Sequence, residues 1–330
     1  MTVTEIVLAL ALTLLVVATT LTLIQPAHRA LAVRTQTNDI YQRARVGFVS
    51  FQRTLLNAAA PVVDSEEVGE SLRPAARPGR WGRYGQFESD AMTLLTMPAT
   101  PVRLLIDPVP GAEPRRFRLR PGPACRPLQA ACGLRTRMTV MIFDHRGSSD
   151  LLRITDIDGE VISVDPMEGG FPAYPAGSAI IPVDVHSYYF DAARAQVRHH
   201  DGWRTDAPVL DHVVALSFQY FGSPLQPDRK SGRMGPVCST AARPWTGVSG
   251  PEVELLPDVL TDGPRCGSRP VFDADLFRVR RVRVTLRLQA SAAEHRGLDQ
   301  QMFARPGIAR DHKRFVPDVT VRFDVALRNP

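Results

Sequence analysis

From Ile6 to Ile24 the chain has no charged residue, no Gly and no Pro. Read as a helix at about 1.5 Å per residue, this run covers roughly 28 Å, close to the ~30 Å hydrocarbon thickness of a bilayer. It predicts a membrane-spanning helix. A cleaved secretory signal is the rival reading, but it calls for a basic start and a shorter apolar core, and no Lys or Arg precedes this run. Beyond Gln25-Pro26 the pattern changes. Apolar residues recur at Leu31, Val33, Ile40, Ala44, Phe48, Phe51 and Leu55, separated by His28, Arg29, Arg34, Asp39, Arg43, Arg45 and Arg53. That spacing follows one face of an α-helix and leaves the other face charged. The expected organisation is therefore a transmembrane half over residues 1–24, an amphipathic half of the same helix over 25–57, and a head over 58–330.

In the head, Pro61, Pro74, Pro78, Gly79, Gly82 and Gly85 predict a long loop over 58–90. The period then becomes two. Ile142-Phe143, Leu151 to Ile157 and Glu160 to Val164 read as short strands, and Asp158-Gly159 reads as a type I′ hairpin turn. Val282, Val284, Leu286 and Leu288 alternate with Arg281, Arg283, Thr285 and Arg287, whereas Phe277 and Val279 sit on the other parity. This phase change predicts a β-bulge at Arg280-Arg281. Val319, Val321, Phe323, Val325 and Leu327 form a second alternating strand. Strands with one dry face predict an antiparallel sheet packed against the amphipathic helix, an α+β fold whose β-rich head carries long loops.

The opening Met1-Thr2-Val3-Thr4-Glu5, followed at once by the apolar helix and then the amphipathic one, resembles mature type IV pilins and pseudopilins. The segment from Gln36 to Asn57, the strand-like stretches around Tyr188-Tyr189-Phe190 and Val209 to Tyr220, and the closing Val319 to Asn329 are most similar to the PilW-type minor pilins. The resemblance implies a pilin-like fold and a structural minor pilin that primes or tips a type IV pilus; a type II secretion pseudopilin of the J type is the alternative. It makes Glu5 the assembly residue, paired in lipid with the α-amino group of a neighbouring subunit. It makes Met1 the new N-terminus left by a prepilin peptidase and the site of N-methylation, the basic leader lying upstream of the sequence read here. The implied partners are other pilins, through the N-terminal helix, and the cytoplasmic membrane, with the head in the periplasm and later at the cell surface.

Charge changes this picture little. The net charge of +6 comes from 40 Lys+Arg against 34 Asp+Glu, and Lys230 and Lys313 are the only lysines. Arg278, Arg280, Arg281, Arg283 and Arg287 form the one basic cluster worth weighing. Binding of DNA or another polyanion by an anchored adhesin-like module is its functional reading, and a solvated strand face that discourages edge pairing is the bland one. No aromatic residues interleave with the arginines of that run to stack bases, which favours the bland reading.

Cys125, Cys132, Cys238 and Cys266 are an even set in the part expected to lie outside the cytoplasm, which reads as two disulfides with three connectivities. Pairing Cys125 with Cys132 and Cys238 with Cys266 keeps each bridge within one Pro/Gly-rich stretch. Zinc is disfavoured, because there is no Cys-x-x-Cys and His199-His200 are adjacent. Asp156, Asp158 and Glu160 lack the length of an EF-hand loop. No nucleophile elbow, phosphate loop or His-Glu-x-x-His motif occurs. The Asp–His neighbours at 144–145, 200–201, 211–212 and 311–312 would point to opposite faces of a strand. Neither catalysis nor a cofactor is expected.

Overall fold

A computed structural model describes residues 2–58, 75–82, 87–97, 103–110, 115–120, 131–144, 149–167, 173–224, 251–261, 265–266, 272–273, 276 and 278–327. The first element is a single helix, α1 (Val3–Ala58), of 56 residues with Pro26 inside it; at about 1.5 Å per residue it is roughly 84 Å long. Its buried positions are Ile40, Ala44, Gly47, Phe51, Leu55 and Ala58, spaced three or four apart, so one stripe of the aqueous half faces the body.

That body is built almost wholly of antiparallel strands. Two short strands, β1 (Ala76–Pro78) and β2 (Ala91–Thr96), come first. Six more follow: β3 (Leu104–Pro108), β4 (Arg116–Arg120), β5 (Thr139–Phe143), β6 (Ser149–Asp158), β7 (Val161–Pro166) and β8 (Ser178–Pro182). They close on themselves as a barrel in the order β3-β4-β7-β6-β5-β8. Within it β5, β6 and β7 are successive neighbours and β8 returns beside β5, a Greek key. The chain then resumes with β9 (Asp184–Asp191), β10 (Gln196–His200) and β11 (Asp206–Asp211), giving a five-stranded sheet ordered β1-β2-β9-β10-β11. The remaining strands are β12 (Val213–Gly222), β13 (Val253–Leu255), β14 (Arg265–Cys266), β15 (Phe272–Asp273), β16 (Val279–Leu288) and β17 (Val319–Ala326). A four-stranded sheet runs β13-β12-β16-β17, and β14 pairs with β15.

This corrects the expected fold. A pilin-like helix on one sheet head does not describe a molecule with a five-stranded sheet, a four-stranded sheet and a closed six-stranded barrel. The barrel is inserted between β2 and β9, which are themselves paired, with Thr96 opposite Asp184. Its strands are short, and closure depends on β8 pairing with both β3 and β5, a long-range event that no local pattern announces. The loop expected over 58–90 also needs correction, since it contains β1; residues 59–74 lie outside those described. The hairpin at Asp158-Gly159 exists, but Asp158 pairs with Val161 and the two loop residues are Gly159 and Glu160. Of these only Gly159 has positive φ, +59°, so glycine stands at the first central position, as in a type II′ turn, and not at the second.

Burial explains the alternation within the barrel. Val140, Ile142, Leu152, Ile154 and Ile180 point inward, while Met141, Phe143, Leu151, Ala179 and Ile181 pack outward with Trp81, Leu95 and Met97. Strands β5 and β8 and the first six residues of β6 are thus dry on both faces, and the outer apolar layer seats the barrel on the five-stranded sheet. Helix α1 and the two sheets share a separate core, into which Met92, Leu94, Val197, Leu216, Val282, Val284, Leu286 and Leu288 point. The bulge expected near Arg280 is present: Arg281 faces Phe221 and Val279 faces Gly222, leaving Arg280 unmatched.

The helix contacts give the body a direction. Gln36 Oε1 accepts from the Ser291 backbone N–H at 3.2 Å, and Arg43 donates to the carbonyls of Asp211 and Gln289 at 3.0 and 3.1 Å. Gly47 lies against Leu210 and Leu286. Phe51 meets Tyr188 and Phe218, and Thr54 Oγ1 lies 2.9 Å from the Tyr188 hydroxyl. Residues 289–318 therefore sit at the end nearest the apolar run, and the barrel, reached through Thr96 and Asp184, lies at the far end.

One buried group is out of balance. Tyr220 is 1% exposed and its hydroxyl has no hydrogen-bond partner among the described residues, and burial pushes the phenol far up its titration range. A buried hydroxyl without a partner costs about 1–3 kcal/mol in desolvation. Tyr220→Phe is expected to keep the fold and to leave stability unchanged or raise it by about 1 kcal/mol, read from the urea midpoint.

Candidate functional site

The N-terminal half of α1 is the feature most plainly fitted to a task. Every described side chain from residue 2 to residue 32 is exposed, and the helix is long and apolar enough to cross a membrane, with a mean hydropathy of 2.6 over its best window. Hydroxyls in such a run must be satisfied from within. Thr13 donates to the Ala9 carbonyl at 2.7 Å, Thr19 to Val16 at 2.9 Å, Thr20 to Val16 at 2.7 Å and Thr22 to Thr19 at 2.8 Å. The four threonines of the span thus present no free donor to lipid.

At its start, Thr2-Val3-Thr4-Glu5 has the spacing of a capping box. The Thr2 backbone N–H donates to Glu5 Oε2 at 2.9 Å, and the Glu5 N–H donates to the Thr2 carbonyl at 3.1 Å. Within one chain, Glu5 therefore closes the first turn. Its side chain is exposed, and an acid in this first turn also meets the positive end of the helix dipole. Met1 lies outside the described residues.

Of the four cysteines, Cys132 is buried and disulfide-bonded, and no described cysteine is free. Cys125, Cys238 and the side chain of Cys266 lie outside the described set. Among the described residues no group of three or more His, Cys, Asp or Glu is placed to hold a metal ion.

The arginine cluster resolves into ion pairs. Arg281 bonds Glu252 at 2.7 Å and also Asp324, Arg283 bonds Asp324 at 2.7 Å, and Arg287 bonds Asp318 at 3.0 Å. The hydrogen bond from Arg283, reinforced by Arg281, holds the Asp324 carboxyl below the usual carboxylate range. Both guanidinium groups lie over the Phe221 ring, at 4.2 and 4.7 Å from its centre. Arg278 turns inward, donating to the Ser223 carbonyl at 2.9 Å, and is 2% exposed. Phe221, on the neighbouring strand, was invisible to a reading of the arginine run alone. A polyanion docking here would compete with the carboxylates already in contact with Arg281, Arg283 and Arg287.

Two of the Asp–His neighbours serve turns and a third bridges paired strands. Asp201 Oδ1 accepts the backbone N–H groups of Trp203, Arg204 and Thr205 at 2.8–3.1 Å, and His200 Nδ1 accepts that of Gly202. Asp311 caps a 3₁₀ turn through the Lys313 N–H at 3.0 Å, and Asp211 accepts from Gln196. His145 lies outside the described residues, as do Phe277 and residues 328–330.

Sequence reasoning missed one polar cluster. His186 Nδ1 stands 2.9 Å from His199 Nε2, His186 Nε2 stands 3.1 Å from Thr96 Oγ1, and the Tyr188 ring packs on His199. The β9–β10 pairing, in which Tyr188 faces His199, brings the two rings together. A hairpin register drawn around residues 192–195 would have shown it. Desolvation lowers the basicity of both imidazoles, and His186 lowers that of His199 further; Asp184 and Asp201 oppose the shift at His186, and Asp201 and Asp206 oppose it at His199. Because the folded state binds these protons less readily than the unfolded chain, their contribution is complete above the unfolded value of about 6.5 and is lost as pH falls below it. The wild type is expected to lose more stability between pH 7.5 and 5.5 than the double variant His186→Gln/His199→Gln, as measured by urea denaturation at both pH values.

Compared with protein-family models, with curated proteins and with solved structures, the chain matches none.

Proposed function

We propose that this protein is a membrane-anchored structural subunit that acts as a minor pilin or pseudopilin, held by its N-terminal helix and drawn by that helix into a filament of similar subunits. The observation that carries this reading is the clearance of the apolar half. The described side chains of residues 2–32 are all exposed, which leaves the span accessible to lipid and to neighbouring helices. The body first meets the helix at Val33, within the amphipathic half, in keeping with a head outside the cytoplasmic membrane and later at the cell surface. Upstream processing by a prepilin peptidase, with Met1 as the resulting N-terminus, belongs to the same proposal.

Glu5 is the assembly residue in this reading. A carboxylate at the edge of a bilayer is costly until a cation joins it, and the terminal amine of an adjoining subunit, at similar depth, is suited to do so. A second reading has its own observation. The bond from Thr2 N–H to Glu5 already gives the acid an intrachain role, so a simple tether would also account for it.

Glu5→Gln separates the two, because the amide oxygen still accepts from Thr2 while the charge is gone. Assembly through Glu5 predicts at least a tenfold fall in the amount of protein recovered with sheared filaments, about the effect of losing one charge-assisted pair worth 1.4 kcal/mol or more, while the membrane-fraction level stays unchanged. Undiminished recovery with filaments, at equal expression, leaves the tether.

A further inference from the structure

We propose that the β16–β17 connection, residues 289–318, is a second membrane contact: a loop that rests on the headgroups of an anionic bilayer at the foot of the helix. Three observations carry it. The first is apolar exposure. Leu298 and Ile308 are each 74% exposed, barer than any large apolar residue of the span except Val3. They sit one residue beyond two glycines joined by the Gly307 N–H to Gly297 carbonyl bond at 3.0 Å.

The second is rigidity. Ile308 donates to the Ala293 carbonyl, Ala309 to Arg296 and Val316 to His295, at 2.9–3.0 Å. Phe303 packs edge-on against Phe315 beneath Gly297. A knitted loop of this kind holds its two apolar residues outward, where a slack one would fold them in.

The third is place and charge. Ser291 bonds Gln36, and the 3₁₀ turn His312–Arg314 packs on α1, so this is the part of the body closest to the span. Gln36 lies twelve residues past Ile24, which is about 18 Å along the axis, of which the headgroup layer covers roughly 5–8 Å. The remaining distance, roughly 10–13 Å, is within the reach of residues 291–298 even with Ala293–His295 wound into a 3₁₀ turn of about 2 Å rise per residue. Across helix residues 25–35 and loop residues 289–318 there are seven Lys and Arg against four acids, Glu294, Asp299, Asp311 and Asp318, the last of them paired with Arg287. That balance complements an anionic surface, while Leu298 and Ile308 supply the apolar part that enters the interface.

The inference rests on the anchoring reading, and the test keeps the two apart. The full-length protein, carrying an environment-sensitive fluorophore on Leu298→Cys or Ile308→Cys, is reconstituted into vesicles of phosphatidylcholine with a minority of phosphatidylglycerol. Leu256→Cys, exposed at the opposite end of the body beside β13, is the control. Flotation reports insertion of the helix. Spin-labelled lipid is expected to quench the probes at 298 and 308 several-fold more than the probe at 256, and less so in pure phosphatidylcholine or with Arg310→Glu/Lys313→Glu. Equal quenching at all three positions in protein that floats overturns the surface contact alone. Protein that does not float overturns the anchoring reading and the surface contact with it.

Discussion

Phe51→Ala is expected to lower the unfolding free energy by about 3–5 kcal/mol, the upper range for truncating a buried aromatic. The position explains the size of the effect. Phe51 is fully buried and is the point at which the helix meets both sheets. Its ring lies 5.0 Å from Tyr188 of the five-stranded sheet, and 5.8 and 6.4 Å from Phe218 and Phe323 of the four-stranded one. Collapse cannot fill the hole, because the three rings stand on strands whose registers are fixed elsewhere. Urea unfolding in detergent, followed by near-ultraviolet circular dichroism, reads the loss. Phe51→Leu, which refills most of the volume, should recover more than half of it, and equal losses for the two variants would show that the ring contacts are not what holds the helix down.

Gly222→Ala is expected to cost as much as the worst overpacking substitutions, about 3 kcal/mol or more. A Cβ at this position would lie 1.9 Å from the Arg278 carbonyl oxygen and 3.0 Å from Leu255 Cδ1. Leucine can yield. The carbonyl cannot, since it accepts the Ser223 N–H at 3.2 Å where the strand pair steps past the bulge. Separating β12 from the start of β16 would also disturb the stack of Arg281 and Arg283 on Phe221. A falling urea midpoint together with altered exchange of the Ser223 amide would confirm the mechanism, and a midpoint within error of wild type would refute it.

Much of this was readable in residues. The helix, its buried stripe from Ile40 to Leu55 and the two final strands follow from spacing, because each element has one drier face and the sequence shows the period of that face directly; Leu31, expected on the same stripe, is exposed. Even the bulge at Arg280 was visible, as a change of parity between Val279 and Val282. Strands such as β4, with Arg116, Arg118 and Arg120 around Phe117 and Leu119, also alternate. What the alternation does not say is which strand lies beside which. The barrel exists because β8 finds β3 some seventy residues back, and a pairing of that separation is written in shape complementarity, not in local pattern. Strands β5 and β8 carry a further difficulty. With both faces dry they show a short apolar run and no period at all, as strands buried on both sides do. The histidine pair was hidden for a related reason, since thirteen residues separate His186 from His199 and only the hairpin register unites them. Glu5 was legible as an acid placed directly before an apolar run, whereas its bond to the Thr2 N–H belongs to the folded first turn.

The side-by-side placement of Thr96 and Asp184 makes the molecule modular. A segment whose two ends already lie on neighbouring strands can be lengthened, shortened or exchanged for another fold without changing the register of the meander that carries it. What must be matched is the apolar seat of Trp81, Leu95 and Met97. The distal end of this protein is thereby free to diversify, or to be engineered as a display platform, while the N-terminal helix keeps its sequence.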